Sequence, residues 1–460
     1  MTSLFQAHDM IKINRGLYLP VPGEPRQEIE EGKPTRSVAL IGSDYVGLRA
    51  TMAVRVGDRV KAGQVLFTDK RNPGVNFTSP GCGIVTAINR GDQRRLKSII
   101  VDIDGDEALE FASFSDSEIL SVDPATLIAT LVAAGLWTAL RTRPYSKVPN
   151  PQSRPRSIFI NAMDSNPLAA NPEPLILAQL DDFLRGITVL SRLAENQVYV
   201  CKAINSLQGI DHSRVPANVA WKSFDGPHPA GLPGTHIHFL DPVGPGRVVW
   251  TINYQDVIAV GKLICSGRLS LHRVVALAGP QVEDPRLLRL RLGANLQEVS
   301  AGELRGNENR IVSGSVLSGR AAVSGEQFLG RYDLQISVLR EGRQRRLFGY
   351  LHPGVGRHSV LGGYLTKLVR NHSLKFSTSS NGSERAMVPI GNYEAIMPLD
   401  ILPTQLLRSL VVKDLEMAQN LGALELDEED LSLCSYVCAG KYDYGPILRE
   451  NLALIEKESQ

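Results

Sequence analysis

Between residues 36 and 104 apolar and polar positions alternate in short runs broken by glycine, the period of half-buried strands. In Met52-Ala-Val-Arg-Val-Gly-Asp-Arg-Val-Lys-Ala-Gly-Gln-Val-Leu-Phe67, Gly-Asp and Ala-Gly separate alternating segments, which is hairpin chemistry. Met10-Ile-Lys-Ile-Asn opens the patterned chain and reads as a first strand, with the nine residues before it an extension or an alternative start. Ala125 to Leu140 has the spacing of a helix, with Asp123 as N-cap and Pro124 at the first helical position. Thr126, Thr130, Gly135 and Thr138 interrupt it, and it is shorter than the ~20 apolar residues a membrane span needs. A Pro/Arg/Ser-rich connector, Arg143 to Arg156, follows.

From 156 to 260 apolar runs alternate with helical ones. Ser157-Ile-Phe-Ile160, Gln197-Val-Tyr-Val-Cys201 and Val248-Val-Trp-Thr-Ile252 predict strands, Glu173 to Gly186 a helix, and Thr188-Val-Leu190 a short apolar run. This alternation predicts an α/β layer with a parallel sheet. His272 to Gly279, Leu287 to Leu292 and Arg310 to Gly314 form a compact β-rich set around one short helical stretch. Residues 334–351 predict a hairpin about Glu341-Gly342, whose arginines Arg340, Arg343, Arg345 and Arg346 read as a solvated tip, with an anionic docking patch as the lesser alternative. The period turns helical over Leu399 to Asn420, Glu428 to Cys438 and Pro446 to Lys457, with Pro446 suited to a first helical position.

Composition narrows the class. A chain of 460 residues exceeds one core, and 43% hydrophobic with 21% charged residues is ordinary globular material. A net charge of +2 with no clustered basic surplus argues against a nucleic-acid partner. Cys82, Cys201, Cys265, Cys434 and Cys438 are odd in number and scattered, so a reducing compartment is expected. The N-terminus lacks a signal-peptide pattern, and no transmembrane helix is predicted.

Familiar chemistry is scarce. Gly42-Ser-Asp-Tyr-Val-Gly47 leads into strands and reads as a turn, not a dinucleotide fingerprint. Cys434 and Cys438 have C-x-x-x-C spacing; buried free thiols are the first reading, and a redox pair or an inter-subunit metal site the alternatives. The segment Phe224 to Gly244 carries His228, Pro229, Gly231, Gly234, His236 and His238. His236 and His238 alternate as on a strand, which would turn both to one face. Hydrogen bonding or a subunit interface is the first reading of this segment, and quinone contact and metal ligation are alternatives.

Taken in order, the parts resemble known modules. The glycine-punctuated strands, closing with Thr78-Ser-Pro-Gly-Cys-Gly-Ile-Val-Thr-Ala-Ile88, resemble a barrel-sandwich hybrid of the biotinyl and lipoyl kind. Lys70 lies where such domains attach a cofactor, although Met-Lys-Met is absent; it reads as a plain turn lysine, with a carrier lysine as the alternative. The β-rich set resembles a soluble-ligand-binding β-grasp module. The expected architecture is α/β and β multidomain: barrel-sandwich hybrid 10–110, α/β (Rossmann-like) layer 111–260, β-grasp module with hairpin 261–380, and C-terminal helices 381–460.

Three stretches, Met10 to Pro25, Phe224 to Gly244 and Tyr436 to Pro446, resemble the A-subunit family of sodium-translocating NADH:quinone oxidoreductases. The resemblance runs from residue 10 onward and extends to the C subunit of Rnf complexes and the flavin-carrying subunit of complex I. It implies a peripheral subunit on the cytoplasmic face of the bacterial inner membrane, with five partner subunits, in a complex that reduces ubiquinone with NADH and exports sodium. The flavin-carrying relatives cradle flavin mononucleotide in a turn of roughly G-x-G-G-A-G-F-P-T, where bare backbone reaches the phosphate. The matching stretch here is Gly135-Leu-Trp-Thr-Ala-Leu-Arg141, with Trp137, Thr138 and Leu140 where glycines would stand. The four cysteine ligands of an iron–sulfur cluster cannot be assembled from Cys434 and Cys438. The expectation is a subunit with no bound cofactor and no catalytic or metal-ligating residue of its own. The alternatives are a flavin- or iron–sulfur-dependent NADH oxidoreductase subunit or a lipoyl- or biotinyl-type carrier.

Overall fold

The computed structural model describes residues 10–343, 358, 360, 374 and 376–459. Two short strands open it, β1 (Met10–Lys12) and β2 (Arg26–Glu31). Seven strands follow: β3 (Ser37–Ile41), β4 (Ala50–Met52), β5 (Arg59–Val60), β6 (Val65–Asp69), β7 (Asn76–Thr78), β8 (Gly83–Arg90) and β9 (Leu96–Ile103). They form two small sheets, ordered β3-β9-β8-β5 and β4-β6-β7. Phe67 and Phe77 stack between strands, 4.5 Å apart, inside this barrel-sandwich.

The α/β unit comprises α1 (Asp116–Ser121), α2 (Pro124–Ala133), β10 (Arg141–Arg143), β11 (Ser157–Ala162), α3 (Pro172–Leu177), α4 (Leu180–Ser191), β12 (Gln197–Ala203), β13 (Val219–Asp225), α5 (Pro233–Leu240), β14 (Val249–Asn253) and α6 (Tyr254–Ser266). Asp123 caps α2 as read from the sequence, accepting the Ala125 amide at 3.1 Å, with Pro124 at the first position. The apolar run Thr188-Val-Leu190 is the buried last turn of α4. The sheet runs β1-β13-β12-β11-β14-β10, with every pairing parallel except β10 on β14. Its central strands β11 and β14 are buried on both faces, which is why they read as unbroken apolar runs. The order reverses at β11, so β11 and β14 flank the topological switch point.

The β-grasp unit holds β15 (His272–Ala278), β16 (Arg286–Arg291), α7 (Leu296–Ser300), β17 (Asn309–Ser313), β18 (Arg320–Ala321) and β19 (Gln335–Arg340), in the sheet order β18-β17-β19-β15-β16-β2. β19 is the first strand of the expected hairpin; its second strand, with Arg345 and Arg346, lies outside the described residues. The C-terminal helices are α8 (Asn392–Ile396), α9 (Pro403–Val412), α10 (Leu415–Asn420), α11 (Ser432–Val437) and α12 (Tyr444–Glu458). Pro446 is the third residue of α12, not its first, and still sits where an amide has no intrahelical partner.

The N-terminal segment stitches these units together. β1 adds an edge to the α/β sheet and β2 an edge to the β-grasp sheet. Between them Leu17 and Leu19 pack on the C-terminal helices and Val21 on Leu168 and Ala278. At Gly23 the backbone, at φ +91°, meets Gly279 so closely that a Cβ would lie 2.2 Å from the Gly279 oxygen.

Candidate functional site

The segment after β13 is built around close backbone approaches. The Leu17 amide donates to the His228 oxygen at 2.8 Å, and the His228–Pro229 bond is cis. His228 is buried with its Nδ1 3.1 Å from the Ser165 hydroxyl, and burial pushes its pKa down to about 4. Gly231 donates its amide to the Ser165 Oγ at 2.8 Å and its oxygen accepts from the Asn161 side-chain Nδ2 at 3.0 Å; a Cβ there would lie 2.5 Å from the Ser165 nitrogen. The Pro229 oxygen accepts the Thr235 hydroxyl at 2.9 Å.

His236 and His238 do not alternate on a strand: both lie in α5, with Pro233 at its first position. Two helical residues two apart point to nearly opposite sides. His236 is fully buried against the Phe224 ring, 4.3 Å between centroids, with its Nε2 2.9 Å from the Ala230 oxygen, and burial lowers its pKa to about 3. His238 faces the C-terminal helices: its Nε2 accepts the Asp400 amide at 2.9 Å, leaving the Nδ1 proton for Glu425, at 2.7 Å. Gly234 lies against Asp430, whose carboxylate oxygen would be 2.3 Å from an added Cβ. That carboxylate is set against the first turn of α5, where the helix dipole favours negative charge. Thus Pro229, Gly231 and Gly234 are interior backbone, and the three histidines serve three separate environments. Among the described residues, no group of three or more His, Cys, Asp or Glu is placed to hold a metal ion.

The stretch matching the flavin turn is packed solid. Gly135, at φ +75°, is pressed on Thr78, 2.2 Å from a built Cβ to the hydroxyl oxygen. Leu136 to Ala139 then wind into a 3-10 turn whose residues are all buried. Trp137 has 0% exposure; its indole N–H donates to the Pro149 oxygen at 2.8 Å and its ring meets Trp250 edge-on at 5.4 Å. The Thr138 and Leu140 amides are spent within the turn, on Gly135 and Trp137. A phosphate needs such amides free and facing bare backbone. This turn offers neither, and the residues present do not fit a flavin phosphate.

Ligand space lies elsewhere around the strand ends. A crevice of about 120 Å³ opens at the switch point, lined by Arg141, Asn161, Asp164, Tyr332, Asp333 and Glu429 among others. A larger cavity of about 710 Å³ lies between the N-terminal segment and the connector after β11. Asp164 lines both, and burial pushes its carboxyl up to about 6. Lys70 is exposed in the turn after β6, its amide bonded to the Arg49 oxygen at 2.9 Å. Cys82, Cys201, Cys434 and Cys438 are buried and Cys265 is exposed, all as free thiols. Cys438 accepts the Tyr393 hydroxyl at 3.1 Å. That contact and the clasp of Asp430 on α5 carry no sequence signal, because both join residues far apart in the chain.

Family comparison assigns the parts. The NqrA N-terminal barrel-sandwich hybrid domain matches residues 11–104, the NqrA second alpha/beta domain 122–269, and the NQRA C-terminal domain 274–324. The class is therefore a multidomain α/β chain of NqrA architecture. The A subunit of the Na(+)-translocating NADH-quinone reductase of Pseudomonas aeruginosa PAO1 is 60% identical over 450 residues, spanning 98% of this chain and 100% of that one. The A subunits of the same enzyme from Saccharophagus degradans and Klebsiella pneumoniae are 59% and 53% identical, over the same shares. The chain belongs to this family, the A subunits of Na(+)-translocating NADH-quinone reductases. An NAD+-reducing [NiFe]-hydrogenase structure matches 49% of each chain at 13% identity and a TM-score of 0.35, too slight a likeness to bear on the fold.

Proposed function

We propose that this chain serves a Na+-translocating NADH:ubiquinone oxidoreductase as a peripheral docking subunit that contributes shape and contacts, not electrons. The observation that carries this reading is the buried Trp137, which fills the turn where flavin-carrying relatives leave bare backbone. On this reading the chain binds no flavin, iron–sulfur cluster or lipoyl group, and NADH and ubiquinone are substrates of the whole complex. Five other subunits, some membrane-embedded, hold it at the cytoplasmic face of the inner membrane. Among the described residues no helix is long and apolar enough to cross a membrane, so attachment falls to those partners. His238 and Gly234 fasten the C-terminal helices to the α/β unit, and His228, Pro229, Gly231 and His236 hold the loop that carries them, which sets the shape that partners meet.

The test is a complex assembled without this chain. Flavin and iron in the remaining subunits should be unchanged while assembly or quinone reduction declines. Stoichiometric loss of flavin or iron with the chain would overturn the proposal. A photoreactive quinone analogue should label other subunits; labelling at His228 or His238 would instead place quinone on this segment.

A further inference from the structure

A cluster of arginines and carboxylates joins the C-terminal helices to the α/β unit. Asp427, Glu428, Glu429 and Asp430, just ahead of α11, meet Arg141 and Arg143 of β10 and Arg449 of α12. Arg143 is 1% exposed. Asp427 lies 2.6 Å from Arg449, 3.3 Å from Arg143 and 3.5 Å from Arg141, and accepts the Ser146 hydroxyl at 2.6 Å. Burial opposes its charge, but Arg143, a hydrogen bond with Glu428, and then Arg141 and Arg449 prevail and hold its carboxyl well below the usual range. Asp430 has Arg143 at 2.9 Å and the first turn of α5. Glu428 takes two short bonds from Arg449, at 2.6 and 2.5 Å. Glu429 has only long contacts, 3.4 Å to Arg143 and 3.8 Å to Arg141.

Four carboxyls thus share three guanidiniums. Among the described residues no fourth cation joins the cluster: Lys147, the next nearest, is paired with Glu456 at 2.6 Å. Asp430 and Asp427 add negative charge beside Glu429 and oppose its ionisation. An uncompensated carboxylate removed from water is costly, and the cheapest remedy is a proton. Glu429 is the worst-paired of the four; its side chain is part-buried, 23% exposed, and that burial pushes it up to about 7. Burial and Asp427 raise Glu428 too, but its paired bonds to Arg449 favour the charged form.

We propose that the C-terminal helical unit docks with one proton held on Glu429, so that this joint is proton-linked and loosens as the pH rises through neutrality. The sign follows from linkage. A carboxyl whose docked value lies above its free value of 4.5 contributes fully below that value and loses its contribution as pH rises through about 7.

Hydrogen exchange of the full chain, corrected for intrinsic rates, tests it. Protection of α9 and α12 should fall roughly tenfold between about pH 6 and about pH 8.5, one pKa unit of linkage. Glu429→Gln, which mimics the protonated side chain, should keep that protection at both ends. A flat wild-type profile, or an unchanged slope in the variant, overturns the proposal. Should the variant fail to fold, infrared spectroscopy of the wild-type chain decides: a protonated-carboxyl band that disappears near neutrality is expected, and its absence from the outset contradicts the idea.

Discussion

Trp137 is enclosed on all sides, so truncating it leaves a cavity and removes the shorter of two hydrogen bonds to the Pro149 oxygen, the other coming from the Asn72 side chain at 3.2 Å. Trp137→Ala should cost ~3–5 kcal/mol, read as a lower denaturation midpoint at unchanged slope, and should not confer flavin binding. Gly234→Ala drives a Cβ into the Asp430 carboxylate and should cost ~1–3 kcal/mol, seen first as lost protection in the C-terminal helices. His228 and His236 give the acid limb. Their values in the folded chain, about 4 and about 3, lie below the ordinary 6.5, so stability present above 6.5 is lost as pH falls through the interval. For His228 that amounts to about 3 kcal/mol, at ~1.4 kcal/mol per unit. His228→Gln should flatten this limb of a pH–stability curve; an unchanged limb would refute the assignment. At this scale the sequence was informative where bulk alone decides: a tryptophan in a glycine-type turn needs no coordinates. It was silent on Gly234, because the reason for that glycine sits on Asp430, far along the chain.

Elements were legible where caps or periods are local. Asp123-Pro124 announced α2, and the apolar runs of β11, β12 and β14 announced a buried parallel sheet. α5 was misread as a strand because eight residues rich in Pro, Gly and His hold too few apolar positions to show a period. Pro233 at its first position was the available signal. The roles of β1 and β2 were hidden for another reason: which sheet an edge strand joins depends on tertiary placement. β2 is exposed along its length, and its Arg26, Glu28, Glu30 and Glu31 suit an edge that discourages further pairing. α6 is capped by Asn253, which accepts the Asp256 amide at 3.0 Å, while Asp256 pairs with Arg273 and Arg331 of the β-grasp unit. Asn253→Ala should therefore cost ~1 kcal/mol or somewhat more in thermal unfolding.

Across the whole molecule, the barrel-sandwich and α/β units share one core, and the β-grasp and C-terminal units have their own. What binds them is the N-terminal segment, the loop before α5 and the arginine–carboxylate cluster. In a chain built this way the turn from Gly135 to Leu140 is packed with protein. The most direct check is the visible absorption spectrum of the isolated full-length chain, with flavin and iron assayed on the same sample. A colourless protein with neither bound is the predicted result. One flavin or one cluster retained per chain would contradict the account.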